Sequence, residues 1–185
     1  MKIGKSTPES KTRSAEADCA IPSDPALVDQ IFMDMALQEA RQAAVDGEVP
    51  VGAVVVQFGA LRDPAVIAKS HNRREALGDP TAHAEILALR AAGEVLGNWQ
   101  LTDCDLYVTL EPCPMCAGAL VNARIRRIIF GCRDRKAGAV GSLYNLPADE
   151  RLNHRPRILE GVRTDEAAAL LKAFFAARRK NGRIG

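Results

Sequence analysis

A chain of 185 residues, 47% apolar and 26% charged, has the length and balance of one ordinary globular domain, well above the size at which burial of a core becomes marginal. Collagen-like, low-complexity and intrinsically disordered classes are excluded by that balance. The net charge of +2 neither demands nor forbids a nucleic-acid partner, because such binding responds to local basic patches rather than to the sum.

Residues 1–23 are polar and mixed in charge, without the apolar run of a secretory signal, and no later stretch reaches about 18 uninterrupted apolar residues. A flexible tail over 1–23, a single domain over 24–185, no membrane partner and a cytoplasmic location are therefore expected. The cysteines at 19, 104, 113, 116 and 132 form an odd set, and in a reducing compartment a close pair suits a metal or redox site better than a disulfide. Cys113 and Cys116 are the one close pair.

Asp24 and Pro25 supply an N-cap and a first-turn proline, and the stripe Val28, Ile31, Phe32, Met35 carries a helix to about Val45, before Gly47 and Pro50 end it. Val51–Gln57 reads as an apolar, β-branched strand and Ala65–Lys69 as a weaker one, with Phe58–Pro64 as the turn of a hairpin. A helix follows over Ala82–Leu96, then a strand over Leu106–Leu110, a short helix over Cys113–Asn122 and a strand over Arg127–Cys132. Beyond a Gly-rich loop, Lys136–Ser142, lie a last strand over Arg157–Val162 and a helix over Asp165–Lys180 capped by Thr164 or Asp165. This alternation implies an α/β fold in which a central mixed sheet is covered by helices on both faces.

Two segments carry the chemistry: Asp79-Pro-Thr-Ala-His83-Ala-Glu85 and Glu111-Pro-Cys113-Pro-Met-Cys116. A hydrolytic zinc site takes three nitrogen or sulfur ligands and leaves a fourth position open, which His83, Cys113 and Cys116 satisfy with one Zn2+ per chain. Placing both cysteines at a helix start lowers their thiol pKa. Glu85, two residues after His83, is placed to take a proton from water and pass protons to the ring nitrogen and the departing ammonia. H-x-E with P-C-x-x-C is the signature of zinc nucleobase deaminases, in which the Glu is catalytic and not a ligand.

A Cys-x-x-Cys between strand and helix serves thiol redox chemistry equally well when taken alone, and the upstream His-x-Glu tips the balance to zinc. A closed structural zinc site would need a fourth ligand, and Cys19, Cys104 and Cys132 stand isolated; the last two flank strands as small buried hydrophobes. His71 and His154 read as surface or loop residues rather than ligands.

At these residues the chain resembles the cytidine-deaminase-like superfamily and, within it, the bacterial tRNA-specific adenosine deaminases. The likeness covers about Gln30–Arg179 and runs through Glu48-Val-Pro-Val-Gly, His71-Asn72-Arg73, both site segments, Gly138-Ala-Val-Gly-Ser142 and Phe174-Phe175. The resemblance implies a three-layer α/β/α sandwich on a five-stranded mixed sheet, a homodimer, and conversion of the wobble adenosine of a tRNA anticodon stem-loop to inosine. It also implies that Asn72 and the backbone of Ala84 read the flipped base or its ribose and that Asp134 meets the anticodon-loop backbone. Phe174, Phe175, Arg178 and Arg179 match a C-terminal helix that clamps the loop.

An RNA loop suits the chemistry physically, since a base must be extruded to reach a buried nucleophile and extrusion costs least where the strand is single. Basic residues cluster at Arg73-Arg74, Arg133-Asp-Arg135-Lys136 and Arg178-Arg179-Lys180. Three other readings compete. A free-base or nucleotide deaminase acting on guanine or cytosine would be separated by a substrate panel, and a thiol-redox protein by a zinc assay. A non-catalytic zinc RNA-binding module would have no use for Glu85.

Overall fold

The computed structural model describes residues 24–59, 62–180 and 182, so the tail expected over 1–23 and Cys19 lie outside the described residues. Helix α1 spans Pro25–Val45, with the Asp24 carboxylate accepting the Ala26 N–H at 2.9 Å and proline in the first turn. Strands β1 (Gly52–Gly59) and β2 (Arg62–His71) follow, then a one-turn helix α2 (Arg74–Leu77), helix α3 (Ala84–Leu96), strand β3 (Cys104–Leu110) and helix α4 (Pro114–Asn122). Strand β4 (Arg127–Cys132), a 3-10 turn at Leu146–Ala148, strand β5 (Arg157–Glu160) and helix α5 (Thr164–Lys180) complete the order.

The five strands form one sheet in the order β2-β1-β3-β4-β5. Strand β1 pairs antiparallel with β2 and β3, while β3-β4 and β4-β5 are parallel, which gives the mixed sheet expected. Alternation along β1 divides the core in two. Ala53 and Val55, with Leu106, Val108, Ile128 and Phe130, pack beneath α3 and α4, whereas Val54 and Val56, with Tyr107 and Ile129, pack beneath α1 and α5. Each fully buried Leu, Ile or Phe contributes about 1.5–3 kcal/mol by leaving water. At the start of β1 a side chain on Gly52 would meet the backbone of Ala36 and Ala40, so glycine there lets the strand lie against α1.

A polar network ties α1 to the sheet on the α1/α5 face. The Tyr107 hydroxyl donates to Asp29 at 2.7 Å, and Arg127 bridges Asp29 at 2.8 Å and Asp105 at 2.7 Å. Arg126 also reaches Asp105, at 2.7 Å, and its guanidinium lies 4.3 Å from the centre of the Phe58 ring. Burial, then the bond to Asp29, pushes the Tyr107 phenol up.

The elements depart from expectation at their ends. Pairing in the hairpin continues to Gly59 with Arg62, so Phe58 and Asp63-Pro64 belong to strands rather than to a long turn. Pro64 is tolerated because β2 is an edge strand, where a missing N–H breaks no ladder, and register shifts absorb the irregularity. Helices α3 and α4 begin one or two residues late because His83 and Cys113 are themselves their N-caps. Strand β5 stops at Glu160, and α2 was not anticipated. Among the described residues no helix is long and apolar enough to cross a membrane.

Candidate active site

Strands β3 and β4 run parallel, and the chain leaves both at the same edge of the sheet, where open α/β sheets place their ligands. Glu111, Pro112 and Cys113 continue from β3, and Arg133 and Asp134 from β4. Helices α3 and α4 aim their N-termini at this edge, with His83 capping one and Cys113 the other in extended backbone. Cys116 falls in the first turn of α4, so C-x-x-C spacing returns the second sulfur to the side of the first. Upstream, the Asp79 carboxylate accepts both the N–H and the hydroxyl of Thr81 at 2.7 Å, a local turn that shapes the approach to His83.

His83 Nδ1 lies 3.7 Å from Cys113 Sγ and 3.5 Å from Cys116 Sγ, and the three donor atoms all fall within 4.8 Å of one another. A tetrahedron with Zn–S near 2.3 Å and Zn–N near 2.0 Å has N···S edges of about 3.5 Å, so the spacing suits zinc. Hydrogen bonding from Cys116 pulls the Cys113 thiol down to about 4, and the same contact together with burial pushes Cys116 up. Hydrogen bonding with Cys113 raises the pKa of His83.

Glu85 is 3% exposed and its Oε2 is buried without a hydrogen-bond partner among the described residues. Desolvation raises its pKa. A buried carboxylate oxygen with no internal partner, beside a three-donor cluster of zinc character, fits a site that takes a metal and a reacting molecule.

A cavity of about 210 Å³ opens onto the cluster, lined by His83, Glu85 and Cys113 together with Asn72, Asp134 and Arg74. Asn72 and Asp134 thus line the same cavity as two of the expected ligands, His83 and Cys113. Ala84 does not line it and its side chain is fully buried, but as the first residue of α3 it carries one of the amides that have no intrahelical acceptor. Helix α5 packs on the other face of the sheet. Phe174 and Phe175 meet edge to face at 5.5 Å, Arg178 lies 5.4 Å from the Phe174 ring centre, and Phe175 and Arg179 are exposed. None of the four lines the cavity.

His71 ends β2 with its ring nitrogens 3.0 Å from Glu39 and 3.1 Å from Asp46, and the His154 ring donates to the Ile125 carbonyl at 2.7 Å; neither joins the cluster. Cys104 and Cys132 are buried, and desolvation pushes each thiol up to about 11.

Two buried carboxylates at this site escaped the sequence reading of roles. Glu48 accepts the Asn72 side-chain amide at 3.3 Å and the Ala76 N–H at 2.9 Å, fixing Asn72 and α2 together. Glu111 accepts from Asp134, Val140 and Ser142. Burial pushes its pKa up, but the donors outweigh it and the carboxyl stays below its ordinary value. The available signal was a charged residue locked between Leu110 and Pro112 at the end of a buried strand.

The cluster, the carboxylate and the sheet define a class. Residues 27–132 match the family model described as the cytidine and deoxycytidylate deaminase zinc-binding region. The tRNA-specific adenosine deaminase of Bacillus subtilis strain 168 is 45% identical over 152 residues, covering 82% of this chain and 91% of the relative. A solved structure from work on A-to-I editing by tRNA:A34 deaminases at the wobble position of transfer RNA is 48% identical, with a TM-score of 0.71 over 76% of this chain and 99% of that one. A guanine deaminase from Nitrosomonas europaea is 27% identical with a TM-score of 0.66, over 85% of this chain and 87% of its own. The chain belongs to the cytidine and deoxycytidylate deaminase family and, inside it, to the group of the tRNA-specific adenosine deaminases.

Proposed function

We propose that this protein hydrolyses the exocyclic amine of the adenosine at the wobble position of a tRNA anticodon loop, giving inosine and ammonia. The observation that carries the reading is the match to the Bacillus subtilis tRNA-specific adenosine deaminase over 91% of that protein, on a fold that gathers His83, Cys113 and Cys116 into one cluster and sets Glu85 in the cavity that opens onto it. His83 through Nδ1 and the two cysteine sulfurs hold one zinc ion per chain, which when bound supplies the Lewis acidity that makes water a nucleophile at neutral pH. Glu85 takes a proton from the attacking water and gives it to the ring nitrogen of adenine. It then carries the second proton of that water to the amine, which leaves as ammonia.

The cavity is smaller than the roughly 300–1,000 Å³ of ligand pockets in general, which suits one extruded base. Asn72 and the Ala84 N–H are assigned to the base or ribose, and Asp134 to the anticodon-loop backbone. Phe174, Phe175, Arg178 and Arg179 are assigned to the loop itself, stacking and neutralising phosphates. A second copy of the chain is the expected occupant of the apolar groove beside α3 and α4, lined by Ile86, Leu89, Trp99 and Ala119, where Trp99 is 64% exposed. The tRNA substrate fits a cytoplasmic location, with residues 24–185 acting as one domain.

Similarity in fold to the guanine deaminase favours one other reading, deamination of a free base. The test is a panel of an anticodon stem-loop with wobble adenosine, free adenosine, guanine and cytosine, presented to zinc-loaded protein. Inosine formed in the stem-loop, with the free bases left unchanged, is the expected result.

A further inference from the structure

The Gly-rich loop after β4 closes on a single side chain. Glu111 Oε2 accepts the Asp134 N–H at 2.9 Å and the Ser142 hydroxyl, and Oε1 accepts the Val140 N–H at 3.1 Å and the Ser142 N–H at 2.9 Å. Both stems of the loop therefore end on one carboxylate, which is 2% exposed and lies two residues before Cys113 in the chain. The loop is also tied to the ligand turn directly, because the Ala139 N–H donates to the Pro112 carbonyl at 2.8 Å. Gly138 lies so close that a side chain there would occupy the place of the Glu111 carboxylate, so the backbone folds around this one anion.

The loop contributes to the lining of the cavity: Asp134 and Ala137 line it along with Glu111. With four donors on two oxygens, Glu111 has no acceptor position left for a proton from substrate or water, in contrast to Glu85, whose Oε2 has no partner among the described residues. We infer that Glu111 is a positioning residue that fixes the 134–142 loop against the ligand turn, so that Asp134 is presented to the substrate and the width of the cavity is set. This deepens the reading of the cavity as a nucleobase site and rests on it.

Glu111→Gln keeps the shape but turns one acceptor into an amide that faces N–H donors, which strands at least one backbone N–H. In the full-length, zinc-loaded variant, hydrogen exchange at Asp134, Val140 and Ser142 should accelerate by about ten-fold or more while the amides of α3 and α4 keep their protection. For the stem-loop substrate KM should rise about ten-fold with kcat within about three-fold, since Glu85 and the ligands stay in place. Ser142→Ala, which removes one donor and leaves the carboxylate, should shift the same quantities in the same direction by less, and it serves as the test if the Gln variant fails to fold. Unchanged exchange in the loop would overturn the inference, and so would a loosened loop with unchanged KM. Loss of zinc from the Gln variant would also overturn it by assigning Glu111 to the metal site. The exchange result does not depend on which base the wild-type protein deaminates, so failure of the tRNA reading shows in the wild-type panel and failure of this inference in the variants.

Discussion

Glu85 and Glu111 line the same small cavity, yet Glu111 accepts four hydrogen bonds while one oxygen of Glu85 accepts none among the described residues. A saturated buried carboxylate holds structure, and an unsaturated one has capacity left for chemistry. That difference separates two residues that composition alone makes equivalent.

Glu85→Ala should therefore keep zinc content and fold close to wild type while activity on the stem-loop falls about 10²- to 10⁴-fold, the usual contribution of a general acid-base group. Metal analysis and single-turnover inosine formation on the same preparation check both halves. Turnover near the wild-type rate would remove Glu85 from the mechanism, and loss of zinc would make it a ligand.

Metal removal should cost stability as well as activity. Purified protein is expected to hold about one zinc per chain, and chelation should lower the unfolding midpoint, because a metal bound only by the folded state contributes its binding energy to folding. Cys113→Ala and Cys116→Ala should reproduce the chelated protein in calorimetry and show less than stoichiometric metal. Undenatured protein prepared without chelator and found to be zinc-free would contradict the ligand assignment.

On the far face of the sheet, Arg127→Ala should leave zinc content untouched while destabilising the protein by about 3 kcal/mol, the lower end for breaking a buried ion pair, because Arg127 keeps some contact with solvent. The cost arises chiefly at Asp29, which stays buried and keeps the Tyr107 hydroxyl but loses its cation, whereas Asp105 keeps Arg126. Denaturant unfolding reads it, and an unchanged midpoint would mean that Asp29 finds another partner.

The RNA contact proposed for helix α5 is separable from the metal site. Replacing Arg178 and Arg179 by Ala should weaken stem-loop binding and flatten its dependence on salt by up to about one to two units of slope, as expected when two phosphate contacts are lost. Zinc content should not change, because α5 lies across the sheet from the ligands. An unaltered salt slope would place the phosphates elsewhere.

Much of this was legible in the sequence because the strongest signals are chemical and local. His83, Cys113 and Cys116 announce themselves by type and spacing, and β4 follows from the apolar run Ile128-Ile129-Phe130 after Arg127. The hairpin was harder: Pro64 and Gly59 read as turn residues, and only the place of β2 at the sheet edge allows them to continue the strands. Helices α3 and α4 were set slightly early because the residues that cap them are themselves expected ligands, and a cap has no helical periodicity to mark it. The roles of Glu48 and Glu111 were not legible, since each acts through backbone amides 23 to 31 residues away in sequence, a relationship created by the fold.

The most direct measurement compares kcat/KM of the zinc-loaded wild-type protein on an anticodon stem-loop with wobble adenosine and on free guanine, with products identified after nuclease digestion. The expected result is inosine at the wobble position and a ratio favouring the stem-loop by at least about 10³-fold, because the specificity constant reports every contact made in the transition state, including those of the loop and of α5. Efficient release of ammonia from guanine, with the stem-loop adenosine intact, would contradict the assignment and make the protein a free-base deaminase.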